Sequence, residues 1–262
     1  MVNLFILGVQ KAGTSALANF LSQHPAVFVL RGKEAHAFDH PQYAAQTDKQ
    51  AFVRRQFQQR MQGYQNQPIV CDATPITIYK QGFLQDCVAW NPDARYILIL
   101  RDPVERAISH YQMSRGKGEE QRCMLLAFLL EPWRLWRAHK KQKWEFGSPL
   151  RAQSYLSRGR YTQQLQRLYR LVPASKILVL EQTELKQAHR QTLLKIFEFL
   201  DIHRHPIAPQ TVFATEKRYH HWSDPLALLY AKLYFKLKGE TPARWRQLIQ
   251  HYQQQAQITT GD

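Results

Sequence analysis

A short apolar segment followed by a glycine-bounded loop constrains the fold of this chain more than any other feature. Residues 3–8 (NLFILG) are mostly apolar and end in glycine, which predicts a buried β-strand. Residues 14–23 follow with apolar side chains at helical spacing. A loop that joins a strand to a helix points its backbone N–H groups at one position, where it can bind an anion.

The rest of the chain repeats this alternation of strand and helix. Because such alternation buries a parallel sheet between helices, we expect an α/β protein with a P-loop-like three-layer fold, in which helices flank a central parallel β-sheet. No internal repeat or Gly/Ser-rich linker divides the 262 residues, so we expect one domain over 1–262. Further strands are predicted at 27–30, 69–72, 95–100 and 176–180, and helices at 47–62, 80–89, 103–115, 121–141, 161–171 and 184–200.

The last part of the sequence, residues 224–254, is predicted to form two amphipathic helices as an appendage to this domain. Lys232, Lys236 and Lys238 give the first of these helices a basic character. The pattern favours a solvated face on a packed helix, and a surface that contacts a membrane or a polymer is the alternative.

Composition limits the partners and the compartment. The formal net charge is +16, from 36 basic and 20 acidic residues, which indicates an anionic partner: a nucleotide, an anionic polymer, a nucleic acid or a membrane surface. Three cysteines are too few for a disulfide framework and fit a reducing compartment. No segment approaches the roughly 20 apolar residues of a transmembrane helix, and no secretory leader is evident, so we expect a cytoplasmic protein.

The loop after the first strand departs from the nucleoside-triphosphate pattern G-x-x-x-x-G-K-[ST] at one position. Gly8, Gly13 and Ser15 have the required spacing, but Thr14 occupies the lysine position and the lysine of this loop is Lys11. The displaced lysine argues against a P-loop kinase that uses ATP and Mg²⁺, which is kept as an alternative.

The stretch ILGVQKAGTSAL, residues 6–17, resembles the 5′-phosphosulfate loop of sulfotransferases that use 3′-phosphoadenosine 5′-phosphosulfate (PAPS), in particular their bacterial and heparan sulfate branch. The resemblance implies transfer of the sulfuryl group to an acceptor hydroxyl by in-line displacement, with release of adenosine 3′,5′-bisphosphate and no metal ion. It also implies that Lys11 is catalytic, at the leaving oxygen. The loop residues that would bind the donor are Lys11, Ala12, Gly13, Thr14 and Ser15.

Two further motifs resemble nucleotide-binding segments of that family. In LILRDPVERAISHYQMSR, residues 98–115, the resemblance implies that Arg101 and Ser109 bind the 3′-phosphate. A guanidinium offers a planar pair of donors to a phosphate, and a hydroxyl adds a neutral donor. In ATEKRYHHW, residues 214–222, the spacing is looser, and the resemblance implies a basic loop that closes over the nucleotide. Its residues are Lys217, Arg218 and Tyr219.

The segment LRGKEAHAFD, residues 30–39, resembles the part of the family that carries the proposed catalytic base. Attack by an alcohol oxygen needs a proton acceptor, and Glu34 is the first candidate, with His36 the second. Lys33 is a candidate contact to the sulfate or the acceptor. The resemblance of CDATPITIY, residues 71–79, to a segment that borders the acceptor cleft adds Asp72 as a substrate-binding candidate.

The acceptor itself is left open by the sequence, as a carbohydrate or another alcohol. Tryptophans are interleaved with basic residues in one part of the chain, which would suit an anionic glycan through stacking and charge. They are Trp133, Trp136 and Trp144, among Arg134, Arg137, Lys140, Lys141 and Lys143. The same pattern would suit a helix that packs its tryptophans inward, which we slightly favour. A basic nucleic-acid-binding protein is a further alternative; no helix-turn-helix, zinc or RNP-type signature supports it, and we expect no nucleic-acid partner. The last alternative is a protein that resembles the sulfotransferases but has no catalytic activity.

Overall fold

The computed structural model describes residues 1–141, 144–210 and 221–259, which fall into two compact units. The first unit comprises Met1–Arg101, Gln166–Ala214 and His251–Asp262. The second comprises Asp102–Leu165 and Thr215–Gln250. One domain over 1–262 therefore stays a prediction, and the two units are described in turn.

Five parallel strands form the central sheet of the first unit, in the order β2-β3-β1-β4-β5. Each lies where the sequence predicted a strand, so the α/β fold with a central parallel sheet is confirmed. The strands are β1 (Leu4–Gly8), β2 (Val27–Val29), β3 (Ile69–Asp72), β4 (Arg95–Leu100) and β5 (Ile177–Glu181).

The central strands β1 and β4 are continuous apolar runs because both faces of a parallel sheet are covered. Phe5 on β1 stands opposite Tyr96 on β4, and their rings stack with centroids 5.8 Å apart. From β1 the chain turns to the β2 side of the sheet, whereas from β4 it continues to β5 on the other side. The carboxyl ends of β1 and β4 thus form the point at which the winding reverses, where open α/β sheets bind their ligands.

Helices connect the strands and flank the sheet; α8 and α12 contribute residues to both units. In chain order the helices are α1 (Thr14–Leu21), α2 (Lys49–Gln58), α3 (Gln81–Trp90), α4 (Pro103–Gly116), α5 (Met124–Leu129), α6 (Glu131–Lys140), α7 (Pro149–Ala152), α8 (Tyr161–Leu171), α9 (Gln182–Gln187), α10 (His189–Leu200), α11 (Asp224–Leu237) and α12 (Pro242–Thr259).

Two predicted helices are each divided in the structure. The helix predicted at 121–141 is α5 followed by α6, because Pro132 at the start of α6 has no N–H and cannot continue the preceding helix. The helix predicted at 184–200 is α9 followed by α10, which meet at Ala188 with non-helical φ −125° and ψ 43°. A capping box between Glu181 and Glu184 starts α9. The two helices predicted for 224–254 are confirmed as α11 and α12.

The second unit is helical and has its own core. Phe128 on α5, Tyr155 and Phe235 on α11 are almost fully buried in one cluster. Gly159 allows this packing, because a Cβ at that position would lie 2.6 Å from the Phe235 ring. The exposed Trp133 and Trp136 are not part of any such core, so the expectation that the tryptophans of this segment pack inward is wrong for these two.

All three cysteines, Cys71, Cys87 and Cys123, are free thiols. Within residues 1–141, 144–210 and 221–259, no helix is both long enough and apolar enough to cross a bilayer.

Candidate active site

The loop between β1 and α1 forms a tight turn at the carboxyl edge of the sheet. Gly8 ends β1 with φ +146°, and a Cβ there would lie 2.9 Å from Ile78 Cγ2, so only glycine fits. Gly13 precedes α1 with φ +105°. Thr14 and Ser15 begin the helix, Thr14 buried and Ser15 partly buried. The first N–H groups of α1 have no partner within the helix, and together with the helix dipole they favour an anion at this end.

Lys11 stands in the middle of this loop in the left-handed backbone region, with φ 73°. The Ala12 amide donates to the Val9 carbonyl at 3.1 Å, which closes the turn around it. Arg101, directly after β4, donates from Nη1 to the Lys11 carbonyl at 3.0 Å. The structure therefore places the Arg101 guanidinium against the backbone of Lys11, which lies 90 residues away in the sequence. It does so at the winding reversal between β1 and β4.

The segment that carries Glu34 is tied to the end of β3, the other neighbour of β1. The Ala35 amide donates to Asp72 Oδ1 at 2.8 Å, and the Ala73 amide donates to the Lys33 carbonyl at 2.8 Å. Thr74 Oγ1 also donates to Asp72 Oδ1, at 2.9 Å. Burial raises the pKa of Asp72 to about 6, and its carboxylate positions this segment.

Three predicted side chains of this segment form one partly exposed cluster with an acid that the sequence analysis missed. His36 Nδ1 lies 2.9 Å from Oδ2 of the buried Asp39, and His36 Nε2 lies 3.4 Å from Glu34 Oε2. Lys33 Nζ is paired with the other Glu34 oxygen. The signal that could have identified Asp39 is an acid three residues after His36, inside an otherwise apolar stretch.

Backbone strain is concentrated at the predicted residues. In the described part of the chain, five residues other than glycine have a left-handed backbone, and three of them are Lys11, Lys33 and His36, with φ of 73°, 57° and 51°. Such conformations cost on the order of 1–3 kcal/mol each and are common at functional sites. The remaining two are Asn66 and Asp201.

In the second unit, Ser109 lies on α4. Its hydroxyl is buried and has no hydrogen-bond partner among the described residues. Arg106 on the same helix is fully buried and donates to the Tyr155 carbonyl, so it stabilises the packing. The predicted nucleotide-closing residues Lys217, Arg218 and Tyr219 lie outside the described residues.

No group of three or more His, Cys, Asp or Glu side chains that could hold a metal ion occurs in the described ranges. The donors at the loop are instead cations, hydroxyls and backbone amides, which are the chemistry of an anion site.

Comparison with known proteins identifies the class. The family model of the sulfotransferase domain matches residues 2–221, and the chain belongs to this family of transferases. Both the family and the fold predicted from the sequence motifs are thereby confirmed.

Relatives with curated descriptions match over part of the chain. Human heparan sulfate glucosamine 3-O-sulfotransferase 6 is 34% identical over 112 residues, which are 43% of this chain and 30% of the relative. The membrane-associated sulfotransferase kil1 of Dictyostelium discoideum is 32% identical over 112 residues, 43% of this chain and 23% of the relative. The chain thus spans less than a third of the length of these relatives.

Solved structures match over a larger share of the chain. A sulfotransferase from Alicyclobacillus acidocaldarius has a TM-score of 0.68 at 25% identity, covering 94% of this chain and 99% of its own. The sulfotransferase domain of the curacin biosynthetic pathway has a TM-score of 0.51 at 14% identity, covering 78% and 75%, which supports the fold alone.

Proposed function

We propose that this sulfotransferase takes the sulfuryl group from PAPS, transfers it to a hydroxyl of an acceptor by in-line displacement, and releases adenosine 3′,5′-bisphosphate. The observation that carries the proposal is Lys11, which a left-handed backbone and the Arg101 bond to its carbonyl hold inside a glycine-bounded loop. The family supports sulfuryl transfer; the donor and acceptor are our inference.

The loop suits a ligand with one 5′-phosphate and a sulfate better than a triphosphate. Gly13, directly before α1, has no Cβ and so lets the backbone approach an oxygen closely, and Thr14 and Ser15 add hydroxyl donors. A lysine within the loop need not reach along a phosphate chain. These features fit PAPS without a metal ion, with Lys11, Ala12, Gly13, Thr14 and Ser15 as the residues that would hold its phosphosulfate end.

Catalysis by Lys11 follows from where charge develops. In a sulfuryl displacement, negative charge grows on the oxygen that leaves sulfur. A cation that meets this oxygen stabilises the transition state more than the ground state, and therefore raises the rate. We assign this role to Lys11, and to Arg101 the role of a donor to the 3′-phosphate.

Ser109 is proposed as a donor to the 3′-phosphate as well, since its buried hydroxyl has no partner among the residues that the structure describes. Lys217, Arg218 and Tyr219 are proposed to close over the nucleotide, on the resemblance alone.

The geometry favours Glu34 as the base. His36 faces a carboxylate from each ring nitrogen, Asp39 at 2.9 Å and Glu34 at 3.4 Å. The contact with Asp39 orients this ring, and of the two acids Glu34 is the partly exposed one, so an acceptor hydroxyl can reach it. We therefore propose that Glu34 accepts the proton of the acceptor hydroxyl, that His36 and Lys33 orient Glu34, and that Asp39 orients His36.

For the acceptor, we propose a carbohydrate or another alcohol, with an anionic glycan as one candidate. Lys33 is the proposed contact to an anionic group of the acceptor or to the sulfate. Asp72 is buried and bonded to Ala35, which supports a positioning role; a direct contact with the acceptor stays a prediction. A cytoplasmic location and the lack of a nucleic-acid partner likewise stay predictions.

The donor can be tested by the thermal unfolding of the protein with different nucleotides. We expect adenosine 3′,5′-bisphosphate without metal to raise the Tm, because a ligand that binds only the native state stabilises it. We expect ATP with Mg²⁺ to raise it less. Arg101→Ala should reduce the shift caused by the bisphosphate.

A larger shift with ATP and Mg²⁺ would instead favour the P-loop kinase, and salt-sensitive binding to DNA alone would favour the nucleic-acid alternative. Acceptors can then be screened with labelled PAPS.

A further inference from the structure

Helix α11 of the second unit has an apolar solvent face. Leu226, Leu229, Leu233 and Leu237 follow one another at spacings of three, four and four residues, so they form one stripe along the helix. Their exposed fractions are 49%, 54%, 49% and 84%. A row of half- or fully exposed leucines is unusual for a helix that faces water.

The opposite face of α11 already supplies the contacts that hold the helix in place. Ala227, Ala231 and Phe235 are buried in the core of the second unit together with Phe128 of α5. The leucine stripe is therefore not needed for packing within this unit.

The exposed charged residues of α11 beside the leucine stripe are all lysines. Lys232 and Lys236 are exposed and lie at its side, and Lys238 follows at the end of the helix. The one acid of α11, Asp224, is buried. Trp222, two residues before the helix, is also 80% exposed.

A second helix of this unit has the same character. On α6, Trp133 and Trp136 are exposed, with the Arg137 guanidinium 5.5 Å from the centre of the Trp133 ring and Lys140 Nζ 4.0 Å from that of Trp136. The acid of α6, Glu131, is buried. Amphipathic aromatic rings next to cations are typical of the interface between lipid headgroups and water.

We propose that the solvent face of α11 binds the surface of an anionic lipid bilayer, with the helix lying in the plane of the headgroups. The leucines enter the boundary of the acyl chains, and the lysines meet anionic headgroups, which is the pattern of an interfacial helix. A second copy of the chain fits this face less well, since two such helices would bring like-charged lysines together. An anionic bilayer offers both an apolar layer and opposite charge.

Co-sedimentation of the full-length protein with lipid vesicles tests the proposal. We expect binding to vesicles of phosphatidylcholine with phosphatidylglycerol, and much weaker binding to phosphatidylcholine alone. The double variant Leu229→Ser, Leu233→Ser should lower the partition coefficient about a hundredfold, since it removes the apolar contact without adding charge. The variant Lys232→Gln, Lys236→Gln should lower it about fivefold for each lysine and reduce its salt dependence.

The variant Leu171→Ser is the matched control, since Leu171 is an exposed leucine on α8, outside this face; it should bind as the wild type does. Circular dichroism checks that every variant is folded. Equal binding to both kinds of vesicle, or full binding by the leucine variant, would overturn the proposal. So would a concentration-dependent dimer that the leucine variant abolishes, if the protein does not bind vesicles; that result would assign the face to a second copy.

Discussion

The loop from Gly8 to Ser15 and helix α11 both combine lysine with apolar residues, but they do so in opposite ways. In the loop, apolar strands lie buried behind it, and Lys11 is held by a left-handed backbone and by the Arg101 bond to its carbonyl. On α11 the apolar residues are exposed, and Lys232 and Lys236 extend from a regular helix into solvent. A cation with a fixed backbone can select one small anion, whereas cations on flexible stems attract any anionic surface.

The largest effect is expected at the loop. Lys11→Ala should lower kcat about a thousandfold, which corresponds to about 4 kcal/mol, because the leaving oxygen loses its cation. A steady-state assay with PAPS and an identified acceptor measures this. The control is Lys195→Ala, which removes an exposed lysine from α10 and should retain activity. Near-wild-type activity of a folded Lys11→Ala protein would show that this cation is not at the reacting bond.

The two faces of α11 should differ in their effect on stability. Phe235→Ala should lower the free energy of unfolding by about 3 kcal/mol, because it leaves a cavity beside Gly159 and Phe128. Leu233→Ala, on the exposed face, should change it by less than about 0.5 kcal/mol. Urea unfolding of the full chain measures both. Equal losses would mean that Leu233 is covered in the protein in solution.

The acid beneath the Glu34 segment should make stability depend on pH. Because the pKa of Asp72 is raised from 3.8 to about 6 in the folded state, the native protein binds the proton more tightly than the unfolded chain. The contribution of this carboxyl group to the free energy of unfolding is therefore fully present below about pH 4, and it is lost as the pH rises through about 6.

Asp72→Asn should abolish that loss while keeping an oxygen for the Ala35 amide. Relative to wild type, the variant should therefore gain on the order of 2 kcal/mol between pH 4 and pH 7. Unfolding curves at several pH values measure the gain, and Glu198→Gln, at an exposed position on α10, is the control. Parallel pH dependences of wild type and Asp72→Asn would contradict the assignment.

The smallest effect is expected at Asp39. Asp39→Asn weakens the contact that orients the His36 ring. We therefore expect kcat to fall about tenfold, with little change in the KM for PAPS. Asp39→Glu should recover part of the loss, since it restores the charge. A change in KM alone would place Asp39 in donor binding, and no recovery by glutamate would indicate a purely structural role.

Much of the fold and of the candidate site was predictable, because its signals are local. The five strands are short, mostly apolar runs; β1 ends at Gly8, β3 at Asp72 and β4 at Leu100, directly before Arg101. The spacing of the glycines in the loop likewise indicates its backbone conformation. The divided helix at 121–141 was predictable too, since Pro132 is visible in the sequence. What was missed depends on contacts between distant or irregular segments: Asp39 lies in a loop without periodicity, and the exposure of Trp133 depends on which face of α6 is packed.

The sequence by itself determined the α/β class, the glycine-bounded loop after β1 and the family, because strand periodicity, glycine spacing and residue type are properties of short segments. Only the tertiary structure decided that Arg101 bonds to the Lys11 carbonyl, that Asp72 anchors the Glu34 segment, and that the leucines of α11 face solvent. The physical reason is that a helix with apolar residues on both faces has two equally good sides to bury. The choice between them is made by the neighbours that it packs against.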